Sequence, residues 1–249
     1  MTADGGIVYD AVFSLGQWCA TAIVLKKLGL RSASGPFDWT GPTGRLDGYV
    51  DLMTNGFKGY FAKENLRKIR EDPVEGTEIY IDTVQRWESH HDFRIGVSFE
   101  ENYARYRARL DRRADRLLAA LRSGGRLLFV HWFGAGRYPR EEVVSAMRRL
   151  RTAYPSTQID LLVLETEKFS KRVDYEEPER GVVFAAGDFY DQERFDVVMG
   201  NEALVLSVLR RIRMRGRLRN LLRVRIESFR KRLRRMFCRA ARKGGAHGR

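Results

Sequence analysis

Short apolar runs alternate with segments of helical periodicity along most of the chain. Residues 7–15 form an apolar run typical of a buried strand, and Gly16 interrupts the run. Apolar positions over residues 19–28 suit a buried helix that Gly29 closes. The thiol of Cys19 therefore falls at a predicted turn from strand to helix.

The same alternation continues through the middle of the chain. Helical periodicity is strongest over residues 99–121, where apolar residues recur every three or four positions until a pair of glycines. The other predicted elements are helices over 46–53 and 140–154 and strands over 78–84, 126–132, 158–164 and 181–186. This order predicts an α/β fold, in which helices flank a layered, largely parallel sheet and the active site lies at the carboxyl ends of the strands.

The C-terminal segment differs from the rest of the chain in charge. Residues 207–249 hold 17 Lys or Arg and one acid, Glu227, a net charge of +16, whereas residues 1–206 hold 29 basic and 31 acidic residues. Apolar residues recur every three or four positions among these arginines, which predicts an amphipathic helix. They are Leu218, Leu222, Ile226, Phe229, Leu233 and Phe237. We therefore divide the chain into an α/β domain over 1–206 and a basic helical tail over 207–249.

The tail has three candidate environments. An anionic membrane surface suits it best, because each Lys or Arg near anionic lipid contributes about 1 kcal/mol and the apolar side chains can enter the interface. Nucleic acid is the rival partner, since arginines pair with phosphates, but the tail has no ladder of aromatic residues for bases. The third possibility is a solvated extension with no specific partner. Peripheral attachment to a membrane is our leading hypothesis.

Cysteine usage and the N-terminal sequence bear on location. Cys19 and Cys238 lie near opposite ends of the chain, without the paired framework of a small secreted domain. The first residues lack the pattern of a signal peptide, and no run reaches the roughly 18 to 20 apolar residues of a membrane-spanning helix. We expect a cytoplasmic protein, peripheral to the inner face of the membrane if the tail binds lipid.

Cys19 and a polar cluster later in the chain are the residues most suited to catalysis. A thiol is nucleophilic as the thiolate, and a helix N-terminus or a nearby imidazolium lowers its pKa from about 8.5. The competing interpretation is that Cys19 is an inert core residue. His90, His91 and Asp92 could be catalytic, form a surface turn or bind a metal. We assign no metal, because adjacent histidines rarely bind one ion.

Several short motifs together resemble one known family. They are Ser14-Leu15-Gly16, Cys19, Gly29-Leu30-Arg31, Ser34, Pro36-Phe37-Asp38-Trp39 and His91-Asp92-Phe93. The family is that of the putative papain-like cysteine peptidases, domain of unknown function 1796. The resemblance is sharp over residues 9–40, present at 91–93, weaker over 103–130 and absent from the tail.

The resemblance implies a catalytic set. Cys19 would attack the carbonyl of a peptide or acyl substrate, and His91 would take the thiol proton, a role that suits an imidazole with a pKa near 6.5. A third polar residue would orient the imidazole. Asp92 would point away from His91 on a strand, so Asp38 is the candidate for this position.

Further residues would form the substrate site: Gly16, Gln17, Trp39, His90 and His131. The backbone N–H of Cys19 and groups around Gly16 and Gln17 could bind an oxyanion, because a glycine turn that enters a helix directs amides towards one point. Trp39 could line a pocket or belong to the core, His90 could replace His91 as the base, and His131 follows an apolar strand. This chemistry needs no cofactor.

Two other functions stay open. The thiol site is also similar to a bacterial capsule-biosynthesis acetyltransferase family with a Gly-Asn-Cys-Gln signature, from which Gly16-Gln17-Trp18-Cys19 departs in spacing. That similarity implies a coenzyme A-dependent acyltransferase in surface polysaccharide biosynthesis. The other is a non-catalytic module that binds a membrane or nucleic acid through its tail. The alternating pattern also departs from the papain fold, which has a helical half and a β-barrel half.

Overall fold

A five-stranded, mostly parallel sheet forms the centre of the protein. The computed structural model describes residues 7–16, 19–40, 46–133, 137–167, 170–189 and 201–244. The strand order is β2 (Ala11–Ser14), β6 (Arg126–Phe133), β7 (Gln158–Thr166), β9 (Val182–Gly187) and β8 (Asp174–Glu179). The first four strands are parallel, and β8 is antiparallel to β9. The predicted α/β fold is confirmed.

Helices cover both faces of this sheet. On one face lie α2 (Leu46–Thr54), α3 (Phe99–Leu121) and α4 (Arg140–Ala153). On the other lie α1 (Cys19–Lys27) and α5 (Glu202–Leu209). Each face of the sheet has its own hydrophobic core. Helices and strands alternate along most of the chain, as the sequence pattern predicts.

Alternate residues of the central strand β6 serve the two cores. Leu127 and Phe129 belong to the core on the α3 and α4 side, whereas Leu128 and Val130 belong to the core on the α1 side. Successive side chains of a strand point to opposite faces, so a strand that is covered on both faces is apolar throughout. This double burial explains the uninterrupted apolar run in β6.

A second, antiparallel sheet was only partly predicted. Its strands are β3 (Leu66–Asp72), β4 (Thr77–Asp82) and β5 (Trp87–Arg94), in that order. The sequence pattern predicts the middle strand alone, because β3 is exposed and charged over most of its length and lacks an apolar period. His90, His91 and Asp92 lie on β5, so their interpretation as a surface turn is wrong.

The basic C-terminal segment begins inside the folded body. The boundary drawn at residue 207 falls within α5, and Val208, Leu209, Ile212 and Met214 are buried. Short strands β1 (Val8–Tyr9) and β10 (Arg213–Met214) then pair in parallel. The chain continues into α6 (Arg217–Gly244), which confirms the predicted basic helix.

The first turns of α6 pack against the end of α1. Arg217 Nε donates to the carbonyl oxygen of Leu28 at 3.0 Å, and Asn220 Nδ2 donates to that of Gly29 at 3.2 Å. Gly29 has a φ of +69°, and a Cβ there would lie 2.6 Å from Leu221 Cγ. A glycine is therefore required where the two helices approach. None of the helices in the described ranges is both long enough and apolar enough to cross a membrane.

Candidate active site

Cys19 is the first residue of α1 and follows the carboxyl end of β2. Leu15 N donates to the carbonyl oxygen of Val130 at 2.9 Å, which extends the parallel pairing one residue beyond β2. The thiol is partly exposed and forms no disulfide. The predicted change from strand to helix is therefore found here, while Gln17 lies outside the described residues.

Both the backbone conformation and the neighbouring atoms require a glycine at position 16. Its φ is +60°, a region that favours glycine. A Cβ at this position would lie 2.9 Å from Tyr49 Oη and 3.2 Å from the carbonyl oxygen of Phe37. The N–H of Gly16 donates to Ser14 Oγ at 3.3 Å. Gly16 thus closes the turn before the thiol, and its own amide already has an acceptor.

The environment of Cys19 favours the neutral thiol. Burial raises the pKa of Cys19. A backbone hydrogen bond lowers the pKa by less than burial raises it, and the negative charge of Glu75 raises it by the smallest amount of the three. This direction is opposite to the lowered pKa expected from a helix N-terminus. At neutral pH the resting side chain is a thiol, so a nucleophilic role needs a base.

Glu75 connects the thiol to the antiparallel sheet. It lies in the turn between β3 and β4, and its carbonyl oxygen accepts a hydrogen bond from Arg94 Nη1 at 3.3 Å. Just after this turn, Thr77 Oγ1 donates to the carbonyl oxygen of His90 at 2.9 Å. The turn that influences the thiol is therefore bonded to the strand that bears both candidate histidines. The role of Glu75 is not predictable from the sequence, because a glutamate in a turn carries no local signal of such a contact.

His90 and His91 have different surroundings on β5. His90 is half-buried, its Nε2 lies 2.9 Å from Glu88 Oε2, and burial lowers its pKa despite this partner. His91 is exposed, and its ring packs edge-on against Trp39. Neither histidine is hydrogen-bonded to Cys19 within the described residues. Of the two imidazoles, that of His91 is the more accessible to a substrate.

Asp38 is buried within the loop that follows α1. It forms an ion pair with Arg31 and accepts a hydrogen bond from Gly35 N at 2.9 Å. Burial raises the pKa of Asp38 to about 6, against the lowering effects of Arg31 and of the Gly35 hydrogen bond. Its Oδ1 has no hydrogen-bond partner among the described residues. The bonds of Asp38 hold its own loop and do not reach His91, so its orienting role stays a prediction.

Trp39 occupies the junction between this loop and β5. The guanidinium carbon of Arg31 lies 5.9 Å from the centre of the Trp39 ring, and the His91 ring meets the same ring edge-on. The next residue, Thr40, forms a backbone bridge with Ser89 of β5. Trp39 therefore lies beside the proposed base rather than in the interior of either core.

His131 is buried on β6 and supports the turn before Cys19. Its Nδ1 donates to the carbonyl oxygen of Leu15 at 2.8 Å, and the rings of Tyr49 and Tyr138 lie 5.6 and 5.7 Å away. Burial lowers the pKa of His131 to about 4, so the imidazole is neutral at pH 7. The sequence predicts that His131 binds substrate, whereas the structure places His131 inside the protein, in contact with the turn.

A buried acid lies at the neighbouring strand end, and the sequence pattern does not predict its role. Glu165 lies on β7 and accepts hydrogen bonds from Arg140 Nη1 and Nη2 at 2.6 and 2.8 Å. It also accepts from the backbone N of Tyr138. The only local signal is a carboxylate directly after the apolar run 158–164. This bidentate ion pair between Arg140 and Glu165 lies near the carboxyl end of β7, next to β6.

The described residues contain no group of three or more His, Cys, Asp or Glu side chains that could hold a metal ion. The nearby imidazoles and carboxylates have other partners, as the pairs of His90 with Glu88 and of Asp38 with Arg31 illustrate.

Comparison with known proteins identifies related sequences. The profile of the family described as "Putative papain-like cysteine peptidase (DUF1796)" matches residues 10–165, more than half of the chain. The chain is also 30% identical over 151 residues to "Uncharacterized protein R408" of Acanthamoeba polyphaga mimivirus, an alignment that covers 54% of this chain and 67% of the viral protein. No solved structure matches the chain significantly. The profile match confirms the family predicted from the motifs.

Proposed function

Because the chain belongs to the family of putative papain-like cysteine peptidases, we propose that it is a thiol-dependent hydrolase with Cys19 as nucleophile and His91 as base. The observation that carries this proposal is the position of Cys19, partly exposed at the start of α1 and just beyond the carboxyl end of β2. Substrates of α/β proteins bind at this edge of the sheet.

The proposed reaction has two stages. As Cys19 attacks the substrate carbonyl, His91 takes the thiol proton, a C–S bond forms and the carbonyl electrons move onto oxygen. When the carbonyl re-forms, the bond to the leaving amine or alcohol breaks, and His91 returns the proton to that group. Water then attacks the thioester with His91 again as base, which releases the acid and the thiol. Because burial raises the pKa of Cys19, we infer that the proton moves during the attack and not before it.

The assignment of the base to His91 rests on accessibility. His90 is held by Glu88, and burial lowers its pKa, which weakens it as a base near neutral pH. His91 is exposed and beside Trp39. Catalytic hydrogen bonds often form only in the substrate complex, so we propose that His91 meets the thiol when a substrate is bound.

The oxyanion would be stabilised by the start of α1. The first N–H groups of a helix have no acceptor within the helix, and that of Cys19 belongs to the residue that bears the thiol. The amide of Gly16 donates to Ser14 Oγ, which makes it a weaker candidate. We therefore propose the backbone N–H of Cys19 as the principal donor, with Gln17 as a further candidate.

A direct test is to look for the thioester. The full chain would be incubated with peptidyl aminomethylcoumarin amides, short acyl esters and acyl-coenzyme A, while released product and intact protein mass are measured. We expect an acyl adduct on Cys19, and Cys19→Ser should slow its formation by about 100-fold or more. Cys238→Ser is the matched control and should keep full activity. If no substrate in the panel acylates Cys19, the proposed function is wrong; transfer to an alcohol instead of water would favour the acyltransferase alternative.

We also propose that the protein acts at the inner face of a membrane. Support comes from the charge of the C-terminal segment, where 17 Lys or Arg accompany a single acid over residues 207–249. Anionic lipid attracts such segments.

A further inference from the structure

Four large apolar side chains form an exposed line on the described part of α6. We call this line the α6 stripe: Leu218 is 77% exposed, Leu222 60%, Ile226 51% and Phe229 62%. Their spacings of four, four and three residues place them on one face of a helix. A continuous apolar surface of this kind marks an interaction site.

The opposite face of α6 is already occupied by the protein body. Asn220 is buried and bonded to Gly29, and Leu221 lies against the same glycine. About two helical turns further, Glu227 forms an ion pair with Lys26 of α1 at 2.7 Å. These contacts fix how α6 is rotated on the body, so the α6 stripe faces away from α1.

The charges beside the α6 stripe identify the chemistry of its partner. Arg219, Arg223, Arg225 and Arg230 are all exposed on α6. Glu227 is the only acid in the sequence of the helix, and it is paired with Lys26. A partner that covers this face must therefore accept apolar side chains and carry negative charge. An anionic bilayer offers both, whereas a nucleic acid offers phosphates but no apolar region for leucine and isoleucine side chains.

We propose that the α6 stripe inserts into the surface of an anionic lipid bilayer while the flanking arginines bind lipid phosphates. The helix then lies in the plane of the membrane, and its Asn220 and Glu227 face keeps the α/β domain attached above it. The inference rests on the proposed membrane location and gives it a defined surface. It does not depend on the thiol chemistry.

The test is vesicle binding by the full chain. Protein would be sedimented with vesicles of phosphatidylcholine alone or of phosphatidylcholine mixed with phosphatidylserine. We expect binding to the anionic vesicles only, weakened at least about tenfold in the double variant Leu222→Ser/Phe229→Ser, because two apolar side chains no longer leave water. The matched control is Val74→Ser/Val84→Ser, which alters two exposed apolar residues in turns of the antiparallel sheet and should bind normally. Since all four positions are exposed, the variants should melt at the wild-type temperature.

Other outcomes distinguish membrane binding as such from insertion of the α6 stripe and from binding of nucleic acid. Arg219→Gln/Arg225→Gln should weaken anionic binding and reduce its salt dependence. Equal binding by the wild type and the α6 stripe variant would keep the membrane location and reject the stripe. No binding of the wild type to anionic vesicles would reject both. Tighter binding to a single-stranded RNA than to vesicles, unaffected in the stripe variant, would assign the helix to nucleic acid. Hydrolysis measured in solution on the same preparations reports the thiol function independently.

Discussion

The indole of Trp39 meets the imidazole of His91 edge-on, with ring centroids 5.8 Å apart and ring planes at 85°. Trp39 belongs to the loop that follows α1, whereas His91 belongs to β5 of the antiparallel sheet. The backbone bridge between Thr40 and Ser89 is a second link between the same two segments. The loop that follows α1 thus links two elements of the candidate site. It continues from the helix that bears the thiol, and it contacts the strand that bears the proposed base.

Removal of the Trp39 ring should loosen His91. With Trp39→Ala the imidazole loses its packing partner and samples more orientations, so we expect kcat for hydrolysis to fall about ten- to 100-fold. Trp39→Phe keeps an aromatic edge contact and should stay within about threefold of the wild type. Steady-state kinetics and the width of the His91 ring-proton NMR signal would measure both effects. A higher KM with unchanged kcat and an unchanged signal would mean that Trp39 only binds substrate.

The strand-to-helix turn at Cys19 was predictable because its signals are local. Gly16 ends an apolar run and Gly29 ends an apolar helix, and both glycines have positive φ. The antiparallel sheet was not predictable in the same way. The charged strand β3 owes its conformation to pairing with β4, not to its own period.

The sequence motifs nominate only some residues of the candidate site, and they do not predict how these residues are arranged. The motifs identified Cys19 and His91, yet no local signal indicates that Asp38 pairs with Arg31 or that Glu75 acts on the thiol. These relationships depend on the long-range packing of loops. Burial, which raises the pKa of Cys19 and lowers that of His131, is likewise a property of the folded chain.

Neutralising Glu75 should make Cys19 more reactive. The carboxylate of Glu75 contributes to the raised pKa of the thiol, so Glu75→Gln should lower that pKa and speed alkylation by iodoacetamide at neutral pH, by about twofold because the glutamate is exposed. Glu64→Gln, another exposed glutamate, is the control and should have no effect. Peptide mass spectrometry across a pH series gives the rates. Identical profiles for both variants would show that Glu75 does not act on the thiol.

Loss of His91 should separate thiol reactivity from catalysis. Because Cys19 and His91 are not hydrogen-bonded at rest, His91→Ala should leave the alkylation profile of Cys19 unchanged while hydrolysis falls about 100-fold or more. His90→Ala is the comparison, and hydrolysis should fall far less in it than in His91→Ala if His91 is the base. An alkylation pKa that rises on losing His91 would reveal a preformed thiolate–imidazolium pair and contradict the proposed order of proton transfer.

Alanine should be tolerated differently at two glycines with similar backbones. Gly16 and Gly56 have φ of +60° and +72°, so each alanine pays a cost of about 1 kcal/mol for the left-handed conformation. No atom lies within 4 Å of a Cβ at Gly56, whereas Gly16 is crowded by Tyr49 and Phe37. Gly16→Ala should therefore lower the free energy of unfolding by about 1 to 3 kcal/mol more than Gly56→Ala in urea titrations. Equal losses would mean that the neighbours of Gly16 move aside easily.

Asp38 should matter more for stability than an exposed aspartate. Asp38→Ala leaves the buried guanidinium of Arg31 without its carboxylate, which should cost about 3 to 5 kcal/mol of unfolding free energy. Asp111→Ala breaks an exposed pair with Arg107 and should cost less than about 1 kcal/mol. Arg31→Met should recover part of the loss in the Asp38→Ala background. If the two aspartate variants unfold at the same urea concentration, the Arg31 pair does not stabilise the loop.

The buried imidazole of His131 should make stability sensitive to acid. Its pKa is about 4 in the folded protein, compared with 6.5 for an ordinary histidine. Between these values the unfolded chain binds a proton that the folded protein does not, so acidification favours unfolding. The contribution is fully present above pH 6.5 and is lost as the pH falls towards 4. From pH 7 to 5 the loss should be roughly 2 kcal/mol.

Comparison with His131→Gln isolates this contribution. Asp38, with a pKa raised to about 6, has the opposite effect, because its folded form binds a proton that the unfolded chain releases. The contribution of Asp38 to the pH dependence of stability is the same in the wild type and in His131→Gln, so it cancels when the two are compared. Glutamine can still donate to the carbonyl oxygen of Leu15 but cannot titrate, so the wild type should lose roughly 2 kcal/mol relative to the variant between pH 7 and 5. Urea unfolding at both pH values measures the difference, and parallel pH dependence of the two proteins would show that His131 is protonated as readily in the folded state as in the unfolded chain.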